Sequence, residues 1–291
     1  MLSLDGVTKV YRAGTFGGTR VPAVAGVSFD VRPGEVVSLI GESGSGKTTV
    51  GRMILRLTDW SAGTITCDGV DVATLGGRGL RRYYGAVQGV FQDPFSSYNP
   101  VFRVDRVFGM IRGPFLPALS DAEWNDRLRT ALEAVVLEPA DVLGKYPHQL
   151  SGGQLQRLLI ARALMLDLRF LVADEIISML DASTRIDVLN LLGDLKVRGL
   201  GVLFVTHDLA LGNYISDRTV ILRRGRVVEM GATQKVFGSP AHPYTRMLLT
   251  SVPQLSTKWD VTTTPAAPVG DDVDGPLRPI DDDHFVATGG E

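Results

Sequence analysis

Apolar residues along this chain recur at two spacings, and the switches between them mark out its elements. Val36-Val37-Ser38-Leu39-Ile40 is a compact run rich in β-branched residues and predicts a buried strand. Gly41 follows at once. Beyond Lys47 the apolar residues Val50, Ile54, Leu55 and Leu57 fall at helical spacing, so the segment reads as strand, glycine loop, helix. Phe170–Ala173 and Val202–Val205 are further strands of the buried kind, separated by a helical stripe of Val188, Leu191, Leu192 and Leu195 that stops near Gly199 and Gly201. Ser120-Asp121-Ala122-Glu123 is a capping box, with Leu128, Leu132, Val135 and Val136 on one face of the helix it opens. Ser151 opens another helix through Leu155, Leu158, Leu159 and Arg162. At the N-terminus, Leu2–Tyr11 and Val27–Val31 flank a Gly-rich link, Ala13–Thr19, read as a hairpin or loop. Strands alternating with helices predict an α/β fold whose parallel sheet is covered on both faces.

Composition narrows the classes without naming one. At 291 residues, the chain is one large domain or two smaller ones. A net charge of −2 offers no bulk attraction to nucleic acid or anionic lipid. The single cysteine, Cys67, excludes a disulfide framework or a Cys-built metal cage within this chain and fits a reducing setting. The longest charge-free stretches, Tyr83–Gln92, Tyr146–Gln156 and Met247–Thr257, fall far short of the roughly 18–20 apolar residues of a bilayer span. Asp5 and Lys9 interrupt any signal-peptide core, so work at a membrane would require docking to another protein. Beyond about Pro253, Asp271, Asp272, Asp274, Asp281, Asp282 and Asp283 dominate a segment poor in large apolar residues, read as a poorly ordered acidic tail.

The candidate chemistry begins in the glycine loop. Gly41-Glu42-Ser43-Gly44-Ser45-Gly46-Lys47-Thr48 matches G-x-x-x-x-G-K-[ST] between strand and helix. Glycines let successive backbone N–H groups turn inward around a polyphosphate, and the helix N-terminus adds attraction for the anion. Lys47 can reach the terminal phosphates, and the Thr48 hydroxyl can hold Mg²⁺. Asp174 and Glu175 end the strand Phe170–Ala173. The first acid can bind Mg²⁺ through water, and the second can orient and polarise an attacking water. Leu150-Ser151-Gly152-Gly153-Gln154 supplies a second helix N-terminus suited to an anion, Ser151 as cap and Gly152 and Gly153 allowing close backbone approach. One phosphate group could use both helix ends only if they converge, within the chain or between two chains, and pattern alone does not choose. Gln92 could simply end a strand, or its neutral amide could contact metal or water near a γ-phosphate. His207 ends Val202–Val205, where a hydrogen bond to that phosphate is plausible.

In order, Gly41–Thr48, Gln92, Leu150–Gln154, Phe170–Glu175, Ser178–Asp181 and His207 resemble the Walker A, Q-loop, signature, Walker B, D-loop and switch-histidine elements of ABC-type ATPase subunits. The resemblance covers roughly residues 1–255. It implies a P-loop NTPase core of ABC ATPase type with an N-terminal antiparallel β subdomain and a helical subdomain at about 100–165. It also implies that Tyr11 stacks on adenine, and that nucleotide contacts come from Gly41–Thr48, Thr49, Ser151, Gly152, Gly153, Gln154 and Asp181. Mg²⁺ would be held by Thr48, Gln92 and Asp174, with Glu175, His207 and Gln92 acting in hydrolysis. Each ATP would lie between the phosphate loop of one subunit and the Ser151–Gln154 segment of the other, in a head-to-tail dimer.

Val90–Pro100, and His242-Pro243-Tyr244-Thr245 with Leu248, Leu249 and Pro253, resemble oligopeptide/dipeptide importer ATPases. Some of those relatives carry a C-terminal cysteine cluster, which this chain lacks. Where the family usually has Pro-Thr after the catalytic glutamate, this chain has Ile176-Ile177. The domains expected are 1–240 for nucleotide binding, 241–255 for the importer-type segment and 256–291 for the acidic tail. The implied function is ATP hydrolysis powering an importer of peptides or similar solutes from the cytoplasmic face of the membrane. Its partners would be permease subunits and a second ATPase subunit, paralogue or self, with a solute-binding protein acting indirectly and no nucleic acid. The alternatives are an importer of di- or oligosaccharides, or a soluble ABC-type ATPase of DNA repair or translation.

Overall fold

The computed structural model describes residues 1–13, 19–251 and 275–288. Its strands are β1 (Leu2–Ala13), β2 (Thr19–Val31), β3 (Val36–Ile40), β4 (Ala62–Cys67), β5 (Val70–Asp71), β6 (Val87–Val90), β7 (Phe170–Asp174), β8 (Gly201–Thr206), β9 (Arg218–Arg223), β10 (Arg226–Ala232), β11 (Leu277–Asp281) and β12 (His284–Ala287). Its helices are α1 (Lys47–Ile54), α2 (Gly77–Ala86), α3 (Arg106–Phe115), α4 (Asp121–Ala134), α5 (Pro139–Val142), α6 (Gly152–Leu164), α7 (Ala182–Val197), α8 (Leu209–Ile215), α9 (Thr233–Gly238) and α10 (Pro243–Thr250).

The strands form two sheets. An antiparallel sheet runs β2-β1-β4-β5, and a mixed sheet runs β11-β12-β10-β9-β3-β8-β7-β6. Strands β9, β3, β8, β7 and β6 are mutually parallel, which aims the C-terminal ends of β3, β7 and β8 at one edge. Every residue of β3, β7 and β8 is buried, because helices or the second sheet cover both faces. The hydroxyl of Ser38, buried within β3, meets that of Thr219 at 2.9 Å, and Thr219 meets Thr233 at 2.9 Å, so these interior polar groups satisfy one another.

One apolar cluster joins helices α3, α4, α6 and α7 to one face of the mixed sheet, and a second packs the antiparallel sheet and α1 on the other. The capping box read from the sequence forms at Ser120, and the helix cap expected at Ser151 is a capping box as well, closed by Gln154. β2 begins well before Val27 although Pro22 lies within it. As the edge strand of its sheet, it has no ladder bond for a proline to break on its open side. The link over 14–18 lies outside the described residues.

The expected poor order of 256–291 is corrected for its last part. Residues 277–287 form the hairpin β11–β12, and β12 pairs antiparallel with β10 to extend the mixed sheet. The acidic composition is misleading because Asp281 ends β11 and Asp282 and Asp283 form the turn, where Asp is favoured, while His284, Val286 and Ala287 are buried against the sheet. Residues 252–274 lie outside the described residues.

Candidate nucleotide site

The glycine loop leaves β3 under tight backbone constraint. A Cβ on Gly41 would stand 2.1 Å from the Leu222 carbonyl oxygen, and one on Gly46 would stand 2.4 Å from the Ala23 carbonyl oxygen. Gly46, at φ +106°, is the N-cap of α1 and offers no side-chain cap, so the first N–H groups of the helix face the loop interior. The Ser45 carbonyl accepts the Gly225 N–H at 2.8 Å, bracing the loop on the β9–β10 turn. The Ser45 hydroxyl is buried without a hydrogen-bond partner, an orphan that a polar ligand would satisfy.

Lys47 folds back over its own loop, donating to the carbonyls of Gly41 at 2.7 Å and Glu42 at 2.9 Å. An ammonium carries three donors, so one remains for an anion. Burial pulls the Lys47 pKa below its ordinary value, opposed by the charges of Glu175, Asp174 and Glu42. Thr48 Oγ1 donates to Asp174 Oδ1 at 3.3 Å, so a hydroxyl and a carboxylate oxygen lie side by side. Burial raises the Asp174 pKa, with the Thr48 hydrogen bond acting against it. Both are hard oxygen donors of the kind Mg²⁺ takes. Among the described residues no group of three or more His, Cys, Asp or Glu could hold a metal alone, so Mg²⁺ here would take its other ligands from phosphate and water.

Glu175 turns the chain out of β7 in the left-handed region, at φ +51°. Its N–H donates to the Val205 carbonyl at 2.9 Å, and its own carbonyl accepts the Ser178 hydroxyl at 2.9 Å and N–H at 3.1 Å. These bonds hold a conformation disfavoured for a residue with a Cβ. Glu175 Oε1 lies 3.2 Å from Nδ1 of His207, the residue after β8. A cavity of about 130 Å³ opens beside them, lined also by Ile177, Ser178 and Arg185. Ile176 and Ile177 are buried in the core, so apolar packing holds the segment that follows Glu175.

Ser151 is the N-cap of α6. Its hydroxyl accepts the Gln154 N–H at 3.2 Å, and the Gln154 side chain accepts the Ser151 N–H at 3.0 Å. The N–H groups of Gly152 and Gly153 have no acceptor within the helix. The atoms nearest their Cβ positions belong to Phe95, Leu180 and Thr184, and none belongs to 41–48. Asp181 caps α7, accepting from Ser183, from the Thr184 N–H and from the Thr184 hydroxyl, and these bonds hold its carboxyl well below the usual range.

Gln92 is exposed beyond β6, and no hydrogen bond among the described residues joins its side chain to Thr48 or Asp174. The adjacent Phe91 carbonyl accepts Gln156 Nε2, from the second turn of α6, at 3.4 Å. Tyr11 lies exposed on β1 with the Lys9 ammonium 5.0 Å from its ring centroid.

This order of elements is matched by a known sequence family. The profile described as ABC transporter matches residues 24–178. The chain belongs to the ABC transporter family. A second profile, described as the C-terminal region of oligopeptide/dipeptide transporters, matches residues 228–272. A putative peptide import ATP-binding protein of Brucella ovis is 46% identical over 255 residues, covering 87% of this chain and 78% of the relative. The dipeptide transport ATP-binding protein DppF of Lactococcus lactis is 41% identical over 272 residues, covering 91% of this chain and 86% of the relative. Among solved structures, a dimeric ATP-binding cassette in a post-hydrolysis state with ADP and Pi superposes with a TM-score of 0.71 at 30% identity, covering 80% of this chain and 99% of that one.

Two residues given no role by the sequence reading touch these ABC elements. Arg185 donates to the Leu180 carbonyl at 2.8 Å and the Ser178 carbonyl at 3.3 Å, pinning the segment after Glu175 from α7. Tyr244, on α10, accepts the Glu42 N–H at 3.1 Å. A contact spanning 202 residues leaves no local trace in the sequence.

Proposed function

We propose that this chain is the ATP-hydrolysing subunit of an ABC importer for peptides or similar small solutes. The observation that carries the reading is the convergence of Lys47, the Thr48–Asp174 pair and the Glu175–His207 pair at the C-terminal ends of three adjacent parallel strands. That edge is where open α/β sheets bind their ligands. Gly41–Thr49 surrounds the phosphates with N–H groups, and the Lys47 ammonium places positive charge against them. Thr48 and Asp174, together with Gln92, would hold Mg²⁺, which would supply further positive charge to the phosphate oxygens. Glu175 accepts a proton from the attacking water, and His207 orients the carboxylate while facing the terminal phosphate. Tyr11 contributes a ring for the adenine.

The second helix end enters through another subunit. None of the side chains nearest the Cβ positions of Gly152 and Gly153 belongs to 41–48, and in this reading Ser151–Gln154 would serve the phosphates of the partner's ATP, with Asp181 at the same boundary. ATP must favour the closed dimer over the open one for its hydrolysis to do work. Closure passes through Gln92–Pro100, where Phe95 and the adjoining Val101 and Phe102 are exposed, to permease subunits. No helix among the described residues is long and apolar enough to cross a membrane. In the importer reading the subunit would dock on its permeases at the cytoplasmic face. In this reading 1–240 is the nucleotide-binding unit, with its helical insertion at about 100–165, and 241–255 is the importer-type segment.

The test is purification from cells that carry the intact transporter. Recovery with permease subunits, and peptide-stimulated ATP hydrolysis that Glu175→Gln abolishes, are the expected results. Recovery with ribosomes or DNA instead would reject the transport reading.

A further inference from the structure

The C-terminal segment reaches back to the phosphate loop through a chain of hydrogen bonds. Tyr244 is 2% exposed, and its ring lies 5.5 Å from the Arg223 guanidinium at the end of β9. Its hydroxyl accepts the N–H of Glu42, the second residue of the loop, at 3.1 Å. That N–H belongs to the Gly41–Glu42 peptide unit, whose carbonyl oxygen accepts Lys47 Nζ at 2.7 Å. A trans peptide is a rigid plane with N–H and C=O on opposite edges. One plane therefore links the Tyr244 hydroxyl to the Lys47 ammonium.

The other end of this arrangement is anchored as firmly. His242 caps α10 and accepts the Tyr244 N–H through Nδ1 at 3.1 Å. The carboxylate of Glu229, fully buried on β10, accepts the N–H groups of Ala241 at 2.8 Å and His242 at 3.0 Å. Glu229 Oε1 also lies 2.7 Å from Nε2 of His284 on β12. The C-terminal hairpin, the start of α10 and the phosphate loop thus form one continuous hydrogen-bonded path.

We propose that Tyr244 is a positioning residue of the nucleotide site. Its hydroxyl fixes the Gly41–Glu42 peptide, which sets where Lys47 waits, and Glu229 with His284 holds Tyr244 in place. The inference rests on reading Gly41–Thr48 as the ATP site.

The test uses the full chain with ATP as the probe. Tyr244→Phe keeps the ring and removes the hydroxyl. The Kd and KM for ATP are expected to rise about three- to tenfold, the size of one lost hydrogen bond, with kcat nearly unchanged. A purely structural role would lower the melting temperature or the active fraction and leave the KM of folded molecules alone. Glu229→Gln, which replaces one acceptor oxygen by an amide donor, shifts the KM in the same direction. Lys47→Ala separates the two claims. Normal ATP binding by that variant rejects the site itself, whereas loss of binding there, with an unaltered KM in Tyr244→Phe, rejects the role of Tyr244. Hydrogen exchange on the unsubstituted protein gives an independent readout. The Glu42 amide should be protected without nucleotide, and exchange there at the rate of an open loop would overturn the proposal however the variants fold.

Discussion

His207 Nδ1 and Glu175 Oε1 stand 3.2 Å apart, one residue beyond the ends of β8 and β7. The strands are hydrogen-bonded neighbours in parallel register, so the sheet itself sets this separation. The backbone of Glu175 is held at φ +51° by bonds to Val205 and Ser178, which keep its carboxylate beside the imidazole.

Replacing that carboxylate while keeping its shape isolates its chemistry. Glu175→Gln is expected to bind ATP normally and to lose about 10²-fold or more in turnover, the usual contribution of a positioned base. Phosphate release, measured beside equilibrium ATP binding, checks this. Turnover near that of the unsubstituted protein would remove Glu175 from the mechanism.

Ser151→Arg addresses the shared site. The lost cap should cost about 1 kcal/mol of stability, seen as a slightly lower melting temperature. ATP binding to the isolated monomer should be unaffected while hydrolysis by the assembled protein falls sharply. If the monomer itself lost ATP binding, the two helix ends would have to meet within one chain.

Gly153 and Thr184 test how the signature segment is seated on α7. A Cβ at Gly153 would meet Thr184 Cγ2 at 2.5 Å, and Thr184 is held by its bonds to Asp181. Thr184→Ser keeps the hydroxyl and deletes the clashing methyl. A double-mutant cycle of Gly153→Ala with Thr184→Ser should give a coupling of about 1 kcal/mol in denaturant unfolding. Strict additivity would mean that the two residues do not touch.

Asp174 supplies a pH prediction. Burial raises its pKa in the folded chain, so the nucleotide-free protein loses stability as the pH climbs from the ordinary carboxylate value through the raised one. Asp174→Asn never ionises and should therefore melt higher than the unsubstituted protein at neutral pH, while the proposed mechanism predicts that it loses hydrolysis. The difference should shrink as the pH falls and vanish below the ordinary carboxylate pKa. A gap that stays constant across that range would show that ionisation of Asp174 is not the cause.

Much of this site could be read locally because its parts are local. Strand, loop and helix around Gly41–Thr48 are contiguous, and the Ser151 and Ser120 caps depend on residues three positions away. The folded-back position of Lys47, the left-handed turn at Glu175 and the contact from Tyr244 to Glu42 depend on tertiary neighbours that no window of sequence contains. The β11–β12 hairpin was hidden by its composition. The short apolar run Phe285-Val286-Ala287 after the aspartates was the available signal, and pairing with β10 made it a strand, on which β11 then pairs.

Sedimentation of the Glu175→Gln chain, together with whichever ATPase subunit co-purifies with it, tests the central claim most directly. The account predicts that ATP converts separate subunits into a dimer holding nucleotide at the boundary, and that removing ATP reverses it. Sustained ATP turnover by the unsubstituted chain, at concentrations where it sediments as a monomer with nucleotide bound, would contradict it.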